Sequence, residues 1–98
     1  DKHYSPNKRI EILDEEVDLN NIEKEKTGFL LFNKELKGFE HQLVLSSNSD
    51  LKEAAFRLFD GLRTLDKLPI EKIYIELVPD IGLGLAINDR LRRAAAKS

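Results

Sequence analysis

The chain has no cysteine. That excludes disulfides, thiolate zinc sites and cysteine nucleophiles, and it fits a reducing, cytoplasmic compartment. Methionine is also absent, even at position 1, which predicts an excised or processed piece of a longer protein. No apolar run exceeds a few residues, so no membrane span fits, and the first residues form no apolar targeting segment. There is no G-x-S-x-G nucleophile elbow and no EF-hand spacing. The two histidines, His3 and His41, have no partners at metal-ligand spacing. Neither an internal repeat nor a low-complexity tract is present.

What remains is an ordinary globular composition: 98 residues, 41% hydrophobic and 35% charged. That length builds one domain, burying roughly 60–65% of its unfolded surface. The net charge of −2 gives no general attraction to nucleic acid. Its distribution is uneven. Asp14, Glu15, Glu16 and Asp18 form an acidic patch, and Arg90, Arg92, Arg93 and Lys97 form a basic end.

Residues 1–7 read as a linker, with Pro6 biasing Ser5 toward extended geometry. Residues 8–98 read as one α/β domain. Residues 8–13 alternate as a short strand with Ile10 and Ile12 on one side. Asp18 is placed to cap a short helix through about residue 26, with Leu19 and Ile22 inward. The apolar run 28–32 suits a strand covered on both faces, as in a parallel sheet. A further strand over 41–45 ends in a polar helix-start cluster. Residues 50–65 repeat Leu51, Ala54, Ala55, Leu58, Leu62 and Leu65 at helical spacing, capped by Ser49 or Asp50, with Glu53 in the capping-box position. Phe56 and Phe59 widen that stripe and predict contact on more than one side. Residues 72–78 form a strand ended by Pro79, and a last helix spans about 84–96. The order β-α-β-β-α-β-α predicts a small Rossmann-like, three-layer domain with a mostly parallel sheet of about four strands.

Three features invite functional readings. Gly82, Leu83 and Gly84 open the last helix, and free amides at a helix start can hold an anion or nucleotide phosphate. A dinucleotide fingerprint is incomplete here, because Ile87 stands where its third glycine belongs. A plain strand-to-helix turn is the competing reading. Arg90, Arg92 and Arg93 can meet RNA phosphates, or serve only as cations at a helix C-terminus without an aromatic platform beside them. Glu76, inside a strand, is a candidate buried carboxylate, but a lone carboxylate is no catalytic set.

Two separated pieces carry a family resemblance. One is His3-Tyr4-Ser5-Pro6 ahead of a basic residue and a strand. The other comprises Leu58-Phe59-x-x-Leu62-Arg63-x-x-Asp66, Ile73-Tyr74-x-Glu76, and Gly82-Leu83-Gly84-x-Ala86-Ile87-Asn88-Asp89-Arg90-Leu91-x-x-Ala94. Together they resemble the C-terminal region of the long form of L-threonylcarbamoyladenylate synthase. In that family a YrdC-type catalytic domain is joined, through a linker with an H-Y-x-P motif, to a small Rossmann-like domain. The match covers nearly the whole chain, apart from 14–40.

The resemblance implies a parent that makes threonylcarbamoyl-AMP from ATP, L-threonine and bicarbonate for tRNA threonylcarbamoyladenosine. ATP and magnesium belong to that parent, and no cofactor is expected in this segment. The expected partner is the parent's own catalytic domain. His3, Tyr4 and Pro6 would help cover its active site, and the present domain would be a non-catalytic accessory that positions the linker. A nucleotide- or anion-binding module at Gly82–Gly84 and a tRNA-docking module through the basic helix stand as alternatives.

Overall fold

The computed structural model describes residues 8–97. Its strands are β1 (Arg9–Leu13), β2 (Thr27–Leu31), β3 (Gln42–Val44) and β4 (Lys72–Glu76), and its helices are α1 (Leu51–Asp66) and α2 (Leu83–Lys97). The strands form one sheet in the order β1-β4-β2-β3, with all three pairings parallel. The domain has the Rossmann-like α/β character expected, a four-stranded parallel sheet between two covering layers.

Strand periodicity divides the core. Ile10, Leu30, Ile73 and Ile75 point to one face, where Ala54, Leu58, Leu62 and Leu65 of α1 and Ile87 and Leu91 of α2 cover them. Phe29, Leu31 and Tyr74 point to the other, under Val17, Leu19, Ile22, Leu36 and Phe39. There Phe29 stacks on Tyr74 at 5.7 Å and meets Phe39 edge-on at 4.7 Å. Every residue of β2 is buried, which explains its unbroken apolar run. Both helices follow strands of one parallel sheet and lie on one face, so they run side by side in the same direction.

Two expectations need correction. The helix placed over 18–26 is a pair of 3₁₀ turns, Leu19–Asn21 and Lys24–Lys26. Asp18 does cap the first turn, accepting from the Asn20 amide at 3.0 Å. The segment then has only Leu19 and Ile22 to bury before a run of charge, too little apolar stripe to sustain an α-helix. The second correction concerns α1. Phe56 is 86% exposed and Phe59 is 37% exposed, so neither extends the core as expected. Instead, Phe59 lies under the Arg90 guanidinium of α2, 4.6 Å from the ring centre.

The start of α1 is as expected in position but differs in chemistry. Asp50 accepts from the Lys52 and Glu53 amides. Its own amide donates to Ser46 Oγ at 2.9 Å, a role the capping box would give to Glu53.

Candidate functional site

In an open parallel sheet, ligands favour the carboxyl ends of strands where neighbouring connections depart in opposite directions. Here that point lies between β2 and β4. The chain leaving β2 stays on the face of Leu36 and Phe39, whereas the chain leaving β4 turns to α2 on the opposite face. The Glu76 side chain reaches across this gap. Its Oε1 accepts from the Phe32 amide at 2.8 Å. Nearby, Asn33 Nδ2 donates to Ser49 Oγ at 2.8 Å, with Ser49 in the left-handed region at φ 60°.

The turn from β4 into α2 is clamped from inside the helix. Asn88, 1% exposed, accepts from the Val78 amide through Oδ1 at 2.8 Å. Its Nδ2 donates to the Val78 carbonyl at 2.7 Å and to Asp80 Oδ1 at 3.1 Å. Gly82 adopts φ +54°, a conformation glycine enters without Cβ strain. Gly84 serves close approach: a Cβ there would sit 1.8 Å from the Pro79 carbonyl oxygen.

The predicted anion turn, Gly82, Leu83 and Gly84, therefore sits at the expected strand-to-helix junction. Within it the Gly84 amide donates to the Ile81 carbonyl and the Leu85 amide to the Gly82 carbonyl, at 2.8 and 3.1 Å. Those two amides are engaged, and the Asp80 carboxylate belongs to the same turn. The outer side of the turn is apolar: Ile81, Leu83 and Leu85 are 65%, 49% and 57% exposed.

Of the three predicted RNA-contacting arginines, Arg90 stacks on Phe59 and Arg93 pairs with Asp89 at 3.1 Å. Arg92 is exposed on the same helix. His3, Tyr4 and Pro6 lie outside the described residues. No three His, Cys, Asp or Glu side chains gather as a metal cluster among the described residues. No described helix is long and apolar enough to cross a membrane.

A charged group sits at the strand starts on the second face. Lys72 pairs with Glu11 at 3.3 Å and lies 4.6 Å from the Tyr74 ring centre. Its interaction with the Tyr74 hydroxyl, and then with Glu11, holds its pKa above the ordinary lysine value, against the opposing effect of partial burial. An open groove of about 430 Å³ runs between β3 and α1, lined by Leu43, Leu45, Phe56 and Gly61 among others. Arg57 closes one side by donating to the Leu45 carbonyl at 3.2 Å.

Sequence reasoning did not find Asn88 or the partner of Glu76. Asn88 had a readable signal, since Gly84, Ile87, Asn88 and Leu91 share the inward stripe of α2. A polar amide on such a stripe needs a buried partner. Glu76 had none, because its partner lies 44 residues away, just past the end of β2.

Residues 1–96 match the family described as threonylcarbamoyl-AMP synthase, C-terminal domain. A threonylcarbamoyl-AMP synthase of Bacillus subtilis (strain 168) is 43% identical over 47 residues. That stretch is 48% of this chain and only 14% of the relative, so the chain corresponds to a small part of that protein's length.

Proposed function

Since the chain belongs to the family of threonylcarbamoyl-AMP synthase C-terminal domains, we propose that it is a non-catalytic accessory domain of such a synthase. The parent would make threonylcarbamoyl-AMP from ATP, L-threonine and bicarbonate, in the service of tRNA modification. The reaction would take place on the parent's catalytic domain, with ATP and magnesium bound there. This domain would hold the linker segment containing His3, Tyr4 and Pro6 against that active site and bias its opening and closing.

The observation that carries this reading is how the polar groups at the carboxyl end of the sheet are used. Glu76 is bonded to the Phe32 amide, Asn88 to both backbone groups of Val78, and Ser46 to the Asp50 amide. An active site needs convergent polar groups held ready for a substrate. In this domain those groups hold the scaffold together. The same accounting weighs against an anion site at Gly82–Gly84, whose Gly84 amide is already bonded, and against RNA docking by Arg90 and Arg93.

The test is deletion of this domain from the full-length synthase, followed by measurement of ATP- and threonine-dependent AMP transfer. The expected outcome is lowered turnover or a raised Michaelis constant. Turnover identical to that of the intact protein would refute the accessory role. Amide shifts at Gly82, Leu83 and Gly84 on adding millimolar ATP would instead favour nucleotide binding.

A further inference from the structure

Lys8 stands one residue before β1, in step with Ile10 and Ile12, which face the helices. An apolar residue would suit that row. Lys8 carries a charge instead, and its side chain is only 14% exposed. Its ammonium lies 3.9 Å from Asp66 Oδ1, on a side chain that is 10% exposed, and it donates to the Asp66 backbone carbonyl. Every other ion pair between described residues has both side chains at least 30% exposed.

The helical partner explains the second contact. α1 ends at Asp66, and a helix end leaves carbonyls without intrahelical donors. The Lys67 amide takes those of Arg63 and Thr64, and the Leu68 amide takes that of Leu65. Lys8 takes the carbonyl that follows, from 58 residues earlier in the chain. A cation there also meets the negative end of the helix dipole.

A pair this well covered is a poor device for stability. Withdrawing two charges from water costs about what their attraction returns, and apolar side chains of similar volume hold a fold as well. A covered pair does select one arrangement over others. Here it arranges the point where the chain enters the domain. β1 joins the sheet at Arg9, whose amide donates to the Glu71 carbonyl at 3.3 Å. The Lys8 side chain adds a tether one residue earlier, to a different element. Two successive attachments fix a direction as well as a place.

We propose that Lys8 is a positioning residue for the parent's reaction: held by the end of α1 at Asp66, it sets the direction in which the linker segment leaves this domain. This role rests on the proposed function, in which that segment covers the active site. Lys8 itself touches no substrate. Releasing the tether spreads the start of the linker over more directions and lowers its effective concentration at the active-site mouth. The covered form is then less populated. Apparent substrate affinity falls by the same factor, and saturating substrate restores the rate.

The test is made in the full-length synthase. Lys8→Met alone would leave the covered Asp66 carboxylate without its cation and endanger the fold. Lys8→Met combined with Asp66→Asn removes the pair and strands no charge. This double variant should raise the KM for ATP and for L-threonine about three- to tenfold, with kcat within about twofold of the parent enzyme. The thermal midpoint of the domain should move by less than about 5 °C. Lys8→Arg keeps the cation and should hold KM within about twofold of the parent value.

An unchanged KM in the double variant would overturn the role of Lys8. A lower kcat at unchanged KM, or a midpoint lowered by more than about 5 °C, would overturn it too, because each marks lost fold rather than lost direction. So would a KM raised as far by Lys8→Arg as by the double variant. The accessory role fails separately, when deletion of the whole domain leaves turnover unchanged. Deletion that lowers turnover, beside a double variant with parental KM, would keep the accessory role and remove only the tether.

Discussion

Replacing Gly84 by alanine should be the most damaging one-carbon change in the domain. Alanine normally favours a helix over glycine by about 1 kcal/mol, and less near a helix end. Here the added Cβ would stand 1.8 Å from the Pro79 oxygen, 3.1 Å from its carbonyl carbon and 3.4 Å from Val78 Cγ2. The two nearest atoms are backbone, so no rotamer change relieves the clash. The start of α2 must move away by at least about 1.2 Å to reach even the shortest tolerable contact. Such a shift pulls Asn88 off Val78, where its two bonds measure 2.8 and 2.7 Å. A buried polar group left without its partner costs about 1–3 kcal/mol. With both Asn88 bonds to Val78 lost at that cost each, and up to about 1 kcal/mol of propensity gain set against them, the net loss is about 1–5 kcal/mol, a large share of the stability of a domain this size. Thermal unfolding followed by circular dichroism should show a midpoint about 10 °C or more lower. Gly82→Ala is the internal control, because its Cβ would meet nothing within 4 Å and its cost is only that of φ +54°, about 1 kcal/mol. If Gly84→Ala melts within 2 °C of the parent chain, or no lower than Gly82→Ala, the close-packing argument is wrong.

Asn88→Asp keeps the shape of the side chain but removes the donor to the Val78 carbonyl and faces Asp80 with a second carboxylate; urea unfolding at neutral pH should show a loss of about 2–4 kcal/mol, partly recovered on acidification. Asp50→Ala removes the acceptor for the Lys52 and Glu53 amides and should cost about 1 kcal/mol in the same assay. Lys72 has its pKa raised in the folded state, first by the Tyr74 hydroxyl and then by Glu11, so its contribution to stability is complete below the unfolded value of 10.5 and lost as pH climbs through the higher folded value. The urea midpoint should therefore fall as pH climbs past about 10.5, and Lys72→Met should flatten that fall.

Sheet and helices were legible because their signals are local. Residues 28–32 are an unbroken apolar run, α1 repeats its apolar residues every three to four positions, and Pro79 with two glycines marks the last turn. The layer over the second face was harder to read. Residues 14–26 and 33–40 bury Val17, Ile22, Leu36 and Phe39 without any regular period, since 3₁₀ turns and loops impose none. Phe56 misled for a physical reason: an aromatic residue beside an apolar stripe raises the apparent width of that stripe whether or not anything covers it. At the carboxyl end of the sheet, the glycine turn was visible, but the use of its amides was not. Whether an amide is free depends on Ile81 and Gly82 carbonyls in the folded turn, which residue types alone do not specify.

The position of β4 has a consequence for synthesis on the ribosome. It inserts between β1 and β2, which do not pair with each other. Until residues 72–76 have left the exit tunnel, β1 has no partner strand, and the β2–β3 pair under α1 keeps an open edge where β4 will sit. Such edges invite pairing with other chains. Folding of this domain is therefore expected to be late and abrupt, completed only when the final third of the chain arrives, and ribosome stalling before Lys72 should leave a protease-sensitive nascent chain.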